Sequence, residues 1–166
     1  MRYSQVMTRT ELMTSWLHFL VQQGYTHAVT FKPNDPRFSA SIAALHRLFV
    51  RAHMLTDRKL LGSRFNRPDR AHARSHAIGI VEGLPDSGHL HGAFKVRPEN
   101  WRNFEGLFWD GASAGSRTGI LRKLMPHGTA VVEPIHEASG WHRYALKHVW
   151  QCDDTDRVVF LPLPVG

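Results

Sequence analysis

The chain has 166 residues, 42% of them hydrophobic and 21% charged, with 21 Lys and Arg against 14 Asp and Glu and a formal charge of +7. That suffices for one folded domain, leaves no room for an attached helicase or large ATPase domain, and excludes the composition of a disordered chain. The basic balance points to an anionic partner, nucleic acid before a membrane surface, while the lone Cys152 excludes an internal disulfide and a Cys-rich zinc site and favours a reducing, cytoplasmic compartment.

Leu12, Trp16 and Leu20 stand at helical spacing and predict a helix over Thr10 to Gln23, stopped by Gly24. Its apolar run, Trp16 to Val21, is broken by His18 and is too short to span a membrane. No secretory signal pattern and no glycine-rich phosphate loop is found. Thr26 to Lys32 alternates as a strand, with Val29 and Phe31 inward and Thr30 and Lys32 outward. Ser39 to Leu61 reads as a long amphipathic helix ending before Gly62. Gly62 to Ser75 is polar and basic, and from the helix end onward the cations are Arg58, Lys59, Arg64, Arg67, Arg70 and Arg74, against Asp69.

Two strands, Ala77 to Glu82 and His89 to Val96, flank a hairpin-like loop from Gly83 to Gly88. Pro98 leads into a helix over Asn100 to Trp109. Gly111, Gly115 and Gly119 mark a connection, either a mobile DNA-contacting loop or a linker, before a short helix over Ile120 to Met125. Thr129 to Ile135 is a fourth strand, Ser139 caps a helix to about Trp150, and Arg157 to Leu161 is the last strand. This order predicts an α+β fold, a mainly antiparallel five-stranded sheet of the split-βαβ, ferredoxin- or RRM-like kind. Helices are expected over one face, with the other partly open for a site. Residues 1–25 would be a helix packed on the domain formed by 26–166.

The chemistry centres on His89-Leu90-His91. On a strand, His89, His91 and Lys95 share one face, and Leu90, Phe94 and Val96 share the other, the natural core face. Two imidazoles so placed converge above the sheet, which suits a divalent metal. Glu82 ends the preceding strand, and the short loop returns the chain beside it. It either completes a His, His, Glu ligand set or is a hairpin-end carboxylate in solvent. Alternation puts Glu82 on the face of Ile78 and Ile80, so either that face is partly covered or a bulge shifts the phase. On the last helix Tyr144, Lys147 and His148 share a face at i, i+3 and i+4. A phenol is a poor nucleophile near its free pKa of ~10, and a nearby cation favours the phenolate. The alternative is a half-buried helix tyrosine beside a solvated lysine.

A strand ending Val29-Thr30-Phe31, then His-hydrophobic-His, then Tyr-x-x-Lys, in that order, resembles the HUH endonucleases. The resemblance is closest to rolling-circle replication initiators of plasmids, single-stranded DNA viruses and filamentous phages, and it runs from about Thr26 to Trp150. It implies His89, His91 and Glu82 as ligands of Mg²⁺ or Mn²⁺, Tyr144 as nucleophile and Lys147 as its companion one turn later. Imidazole ligands favour Mn²⁺ on softness grounds. It also implies a metal-dependent nickase and ligase for single-stranded DNA at an origin or hairpin. The intermediate would be a 5′-phosphotyrosine link, and a host helicase a partner. His148 stands where many members carry an aromatic residue, and one tyrosine on the helix points to a single-tyrosine member.

Lys32 and Lys95, on the expected open face, and Arg64, Arg67, Arg70 and Arg74, in a loop with Phe65, are candidate DNA contacts, since cations interleaved with an aromatic suit single strands. The loop is otherwise simply a solvated basic segment. Rival readings are a single-tyrosine HUH transposase and a non-catalytic RRM-like nucleic-acid-binding domain, whose exposed stacking aromatics are missing here.

Overall fold

The computed structural model describes residues 8–108, 123–137, 140–141, 143–147 and 155–162. The predicted connection Gly111–Gly119, the start of the helix at Ile120, the Ser139 cap, His148 and Cys152 lie outside the described residues; residues 123–124 are helical.

Helix α1 (Arg9–Gln23) starts at a capping box in which Thr8 and Glu11 bond each other's backbone N–H, and it stops at Gly24, whose φ of 66° suits a residue without Cβ. Strand β1 (His27–Lys32) follows. The predicted helix from Ser39 is two pieces, α2 (Pro36–Ser39) and α3 (Ile42–Leu61), because the Ser41 side chain caps α3 by accepting from the Ala44 N–H. The basic loop then contains a 3₁₀ turn, Pro68–Ala73. Strands β2 (His76–Glu82) and β3 (His89–Lys95) form the hairpin, α4 (Trp101–Phe108) follows a short 3₁₀ turn, and β4 (Thr129–Pro134), α5 (helical at 140–141 and 143–147) and β5 (Val158–Leu161) complete the order.

The five strands form one sheet in the order β4-β1-β3-β2-β5, and every neighbouring pair is antiparallel. β3 inserts between β1 and β2, which run parallel to each other and are joined through α3, the split-βαβ arrangement. One face carries Val29, Phe31, Ala77, Val81, Leu90 and Phe94 under α3 and α4. The ring of Phe49 from α3 lies against Gly79 and Gly92, a pair directly opposed across β2 and β3. A Cβ on either would fall 2.7 or 2.9 Å from that ring. Both glycines are therefore the floor of an aromatic seat.

The opposite face is not bare, which corrects the expectation of helices on one side only. α1 lays Leu20 against Ile78 and Ile80, α5 adds Ala145 and Leu146, and Trp16 stacks on Phe160 of β5 with ring centroids 5.8 Å apart. The cause lies in β2. Ile78 and Ile80 point away from α3, and burying two such side chains, at about 1.5–3 kcal/mol each, needs a second layer. That layer stops short at β4, where Val131 is 53% exposed. No helix among the described residues is long and apolar enough to cross a membrane.

Candidate metal centre

The second-layer face holds the site. Register places Ile80 opposite His91 and Glu82 opposite His89, so the carboxylate and both imidazoles share a face with no bulge. Of the two options open in the sequence, the covered face is the one realised. α1 and α5 bury the two isoleucines, and Glu82, at the strand's end, closes the same row.

Glu82 Oε2 is 3.5 Å from His91 Nε2 and 3.7 Å from His89 Nε2, and the Glu82 side chain is 4% exposed. The other nitrogen of each ring is held from behind. His89 Nδ1 lies 2.9 Å from the Ser87 carbonyl, which can only accept, so Nδ1 carries the proton and Nε2 presents a lone pair. His91 Nδ1 lies 3.1 Å from Thr30 Oγ1, directly across β1 and β3, and the tautomer donating to that hydroxyl likewise turns the Nε2 lone pair to the carboxylate. In that tautomer two lone pairs face one carboxylate oxygen, an arrangement completed by a proton or a metal ion between them. The bond to Glu82 accordingly holds the His89 imidazole above the ordinary histidine range, against the opposing effects of burial and of the Lys32 ammonium.

The donor set fits a metal. Donors sharing an ion through bonds of about 2.1 Å lie up to about 4.2 Å apart, and the two Glu82 separations meet this. All three donor atoms lie within 4.8 Å of one another. The loop holds Glu82 and His89 together. Gly83, with φ 73°, leaves a gap in which a Cβ would strike the Ser87 carbonyl and the His89 ring, and the Ser87 N–H closes the turn onto the Gly83 carbonyl at 2.8 Å. Glu82, His89 and His91 can hold a metal ion, and they are the one such group among the described residues.

α5 brings Tyr144 to this cluster. Its ring stands edge-on to His91, with centroids 5.4 Å apart, and is 51% exposed. Lys147, one turn on, places Nζ over the Tyr144 ring, 4.1 Å from its centroid. Ala145 and Leu146, fully buried, anchor the helix so that the tyrosine faces outward at the edge of the layer. Tyr25, the other described tyrosine, is buried, and burial pushes its phenol far up.

The predicted DNA contacts divide. Lys32 ends β1 one residue past the Phe31–Leu90 pair, level with His89, and is exposed. Lys95 shares the site face but pairs with His76 at the other end of β3, about 20 Å away along the strand. Arg64, Arg67 and Arg70 are exposed in the loop that enters β2 at that same far end. Arg74 differs from its predicted setting. Its Nε donates to buried Asp57 at 2.9 Å, and Asp57 also accepts from the Ser75 N–H and hydroxyl, so the residue fastens α3 to β2. Phe65 is buried, with Arg74 above its ring, and is not a platform for a base. Thr30 was not among the predicted site residues. The sequence shows only its outward parity on β1; the β1–β3 register that sets it against His91 is a tertiary fact.

No family model, curated protein or solved structure matches the chain.

Proposed function

We propose that the protein is a metal-dependent single-stranded DNA nickase and ligase of the HUH type, acting through a phosphotyrosine intermediate in rolling-circle replication. The observation that carries the reading is the meeting of Tyr144, exposed and 5.4 Å ring to ring from His91, with a Glu82, His89, His91 ligand cluster. These groups come from two distant segments of the chain, and neither strand pairing nor core packing needs the combination.

A divalent cation held by these three side chains supplies Lewis-acid polarisation of a phosphodiester, with Mn²⁺ better matched than Mg²⁺ to two imidazoles. The Tyr144 oxygen, having lost its proton, attacks phosphorus in line. An O–P bond to tyrosine forms as the bond to the 3′ oxygen breaks, and that oxygen takes a proton to leave a free 3′-hydroxyl. The 5′-phosphate stays on the enzyme, so the reverse attack by a 3′-hydroxyl reseals the strand. Lys147 holds the ring from above by a cation–π contact and brings positive charge to the approaching phosphate. Lys32, level with His89, adds a second cation beside the cluster. The RRM-like alternative has less support, because Phe94, the residue such a module would expose, is fully buried under α3.

Incubation with a panel of single-stranded oligonucleotides and Mn²⁺ tests the proposal. A denaturant-stable adduct is expected, abolished by EDTA and in Tyr144→Phe. An adduct that persists in Tyr144→Phe overturns the nucleophile assignment.

A further inference from the structure

The outer side of α3 carries a line of arginines with no part in the chemistry above. Arg47, Arg51 and Arg58 are exposed and spaced four and seven residues apart, so they stand along one ridge of the helix about 16 Å long. The opposite side of the helix is the core stripe of Leu45, Leu48, Phe49 and Ala52. The line therefore points away from the sheet and from Glu82, His89 and His91, which lie on the other face. Arg64, Arg67 and Arg70 follow, also exposed, in the loop that leaves the helix.

These six arginines make no ion pair with a described residue, whereas Arg37, Arg74 and Arg97 each pair with a carboxylate. The only acid of α3, Asp57, is buried and engaged by Arg74. Arg47 and Arg51 are like charges at i and i+4, a pairing that disfavours a helix and that no carboxylate of α3 offsets. A straight, unneutralised row of guanidinium groups suits a regular row of phosphates. Phe65, the aromatic of that loop, is buried and offers no platform for an unpaired base. Nothing suits insertion into a bilayer either, because Met54 is the one large hydrophobic residue exposed on this helix.

We propose that this ridge is a second nucleic-acid surface that grips the phosphate backbone of duplex DNA, separate from the metal centre on the opposite face. A single-stranded segment at the metal centre and its flanking duplex would then be held by different sides of one domain.

The test is fluorescence anisotropy with a labelled 20-base-pair DNA duplex, titrated over a range of salt concentrations without added metal. The triple variant Arg47→Ala, Arg51→Ala, Arg58→Ala is expected to bind about ten-fold or more weakly, and the slope of log K against log salt to shrink by about 2.7, or 0.9 for each lost contact. Alanine is the better helix former, so the fold is kept, which a melting curve checks. The triple lysine variant should bind within a few-fold of the parent. Duplex affinity unchanged in the alanine variant overturns the proposal, as does an equal loss for single strands. Loss of binding to phosphatidylserine vesicles with duplex binding intact also overturns it, in favour of a membrane surface. The readout needs no cleavage. Duplex binding that survives in His89→Ala with His91→Ala separates this surface from the nickase reading, and failure of either leaves the other standing.

Discussion

The Thr30 hydroxyl lies 3.1 Å from Nδ1 of His91, from the neighbouring strand and on the same face. It fixes which imidazole nitrogen meets Glu82. Thr30→Val keeps the shape and removes the oxygen, so the ring loses its orienting partner. Mn²⁺ affinity measured by isothermal titration should fall about 10- to 100-fold, and Thr30→Ser should restore most of it. Equal affinities for the valine and threonine proteins would show that the tether is incidental.

Metal should stabilise the fold, since the three ligands lie on two strands joined by a tight loop. With free Mn²⁺ at about 100 times its Kd, the expected gain is about 2.7 kcal/mol, visible as a raised melting temperature that EDTA reverses. Glu82→Ala should abolish the shift. A variant melting curve that still responds to Mn²⁺ would place the ion elsewhere.

The Phe49 seat predicts a steric penalty. Gly92→Ala places a methyl group 2.9 Å from both the Phe49 ring and a Val29 methyl carbon, inside a packed core. The expected cost is about 1–3 kcal/mol in urea denaturation. Combined with Phe49→Leu, the penalty should be partly relieved, because the leucine withdraws the clashing ring edge. Additive losses in the double mutant would mean that the methyl group is accommodated by backbone movement instead.

Burial holds the His53 imidazole below the ordinary histidine range, with Asp57 opposing. Its Nε2–H donates to the Ser75 carbonyl at 2.8 Å. The unfolded chain therefore takes up this proton first as pH falls through about 6.5, and stability drops from there until the folded imidazole also titrates, by at most about 1.4 kcal/mol per pH unit for one group. His27, likewise lowered by burial, works in the same direction. His89, raised by Glu82, works oppositely, its contribution present below pH 6.5 and lost as pH rises through its folded value. Between pH 7 and 5, unfolding free energy should fall less steeply in His53→Gln than in the parent protein. Parallel profiles would remove His53 as the source.

The strands and their alternation were legible in the sequence because period-2 patterning is local. His89, His91 and Lys95 opposite Leu90 and Phe94 are seen as read. The antiparallel α+β sheet was legible from the order of elements, a central hairpin flanked by helices. What needed the tertiary structure was anything decided by a partner far along the chain. The face of Glu82 was ambiguous until α1, some sixty residues earlier, was seen over Ile78 and Ile80. Arg74 read as a loop cation because nothing nearby shows that Asp57, buried seventeen residues before it, accepts its proton donors. Thr30 is an ordinary outward strand residue until register sets it against His91.

The outermost strands close the sheet to further growth. β4 ends on Pro134, and β5 spans only Val158–Leu161 before Pro162. A proline offers no N–H to an incoming chain, and a four-residue rim is a poor template. Concentrated solutions should thus resist fibril seeding along either border, even with Val131 bare on one of them.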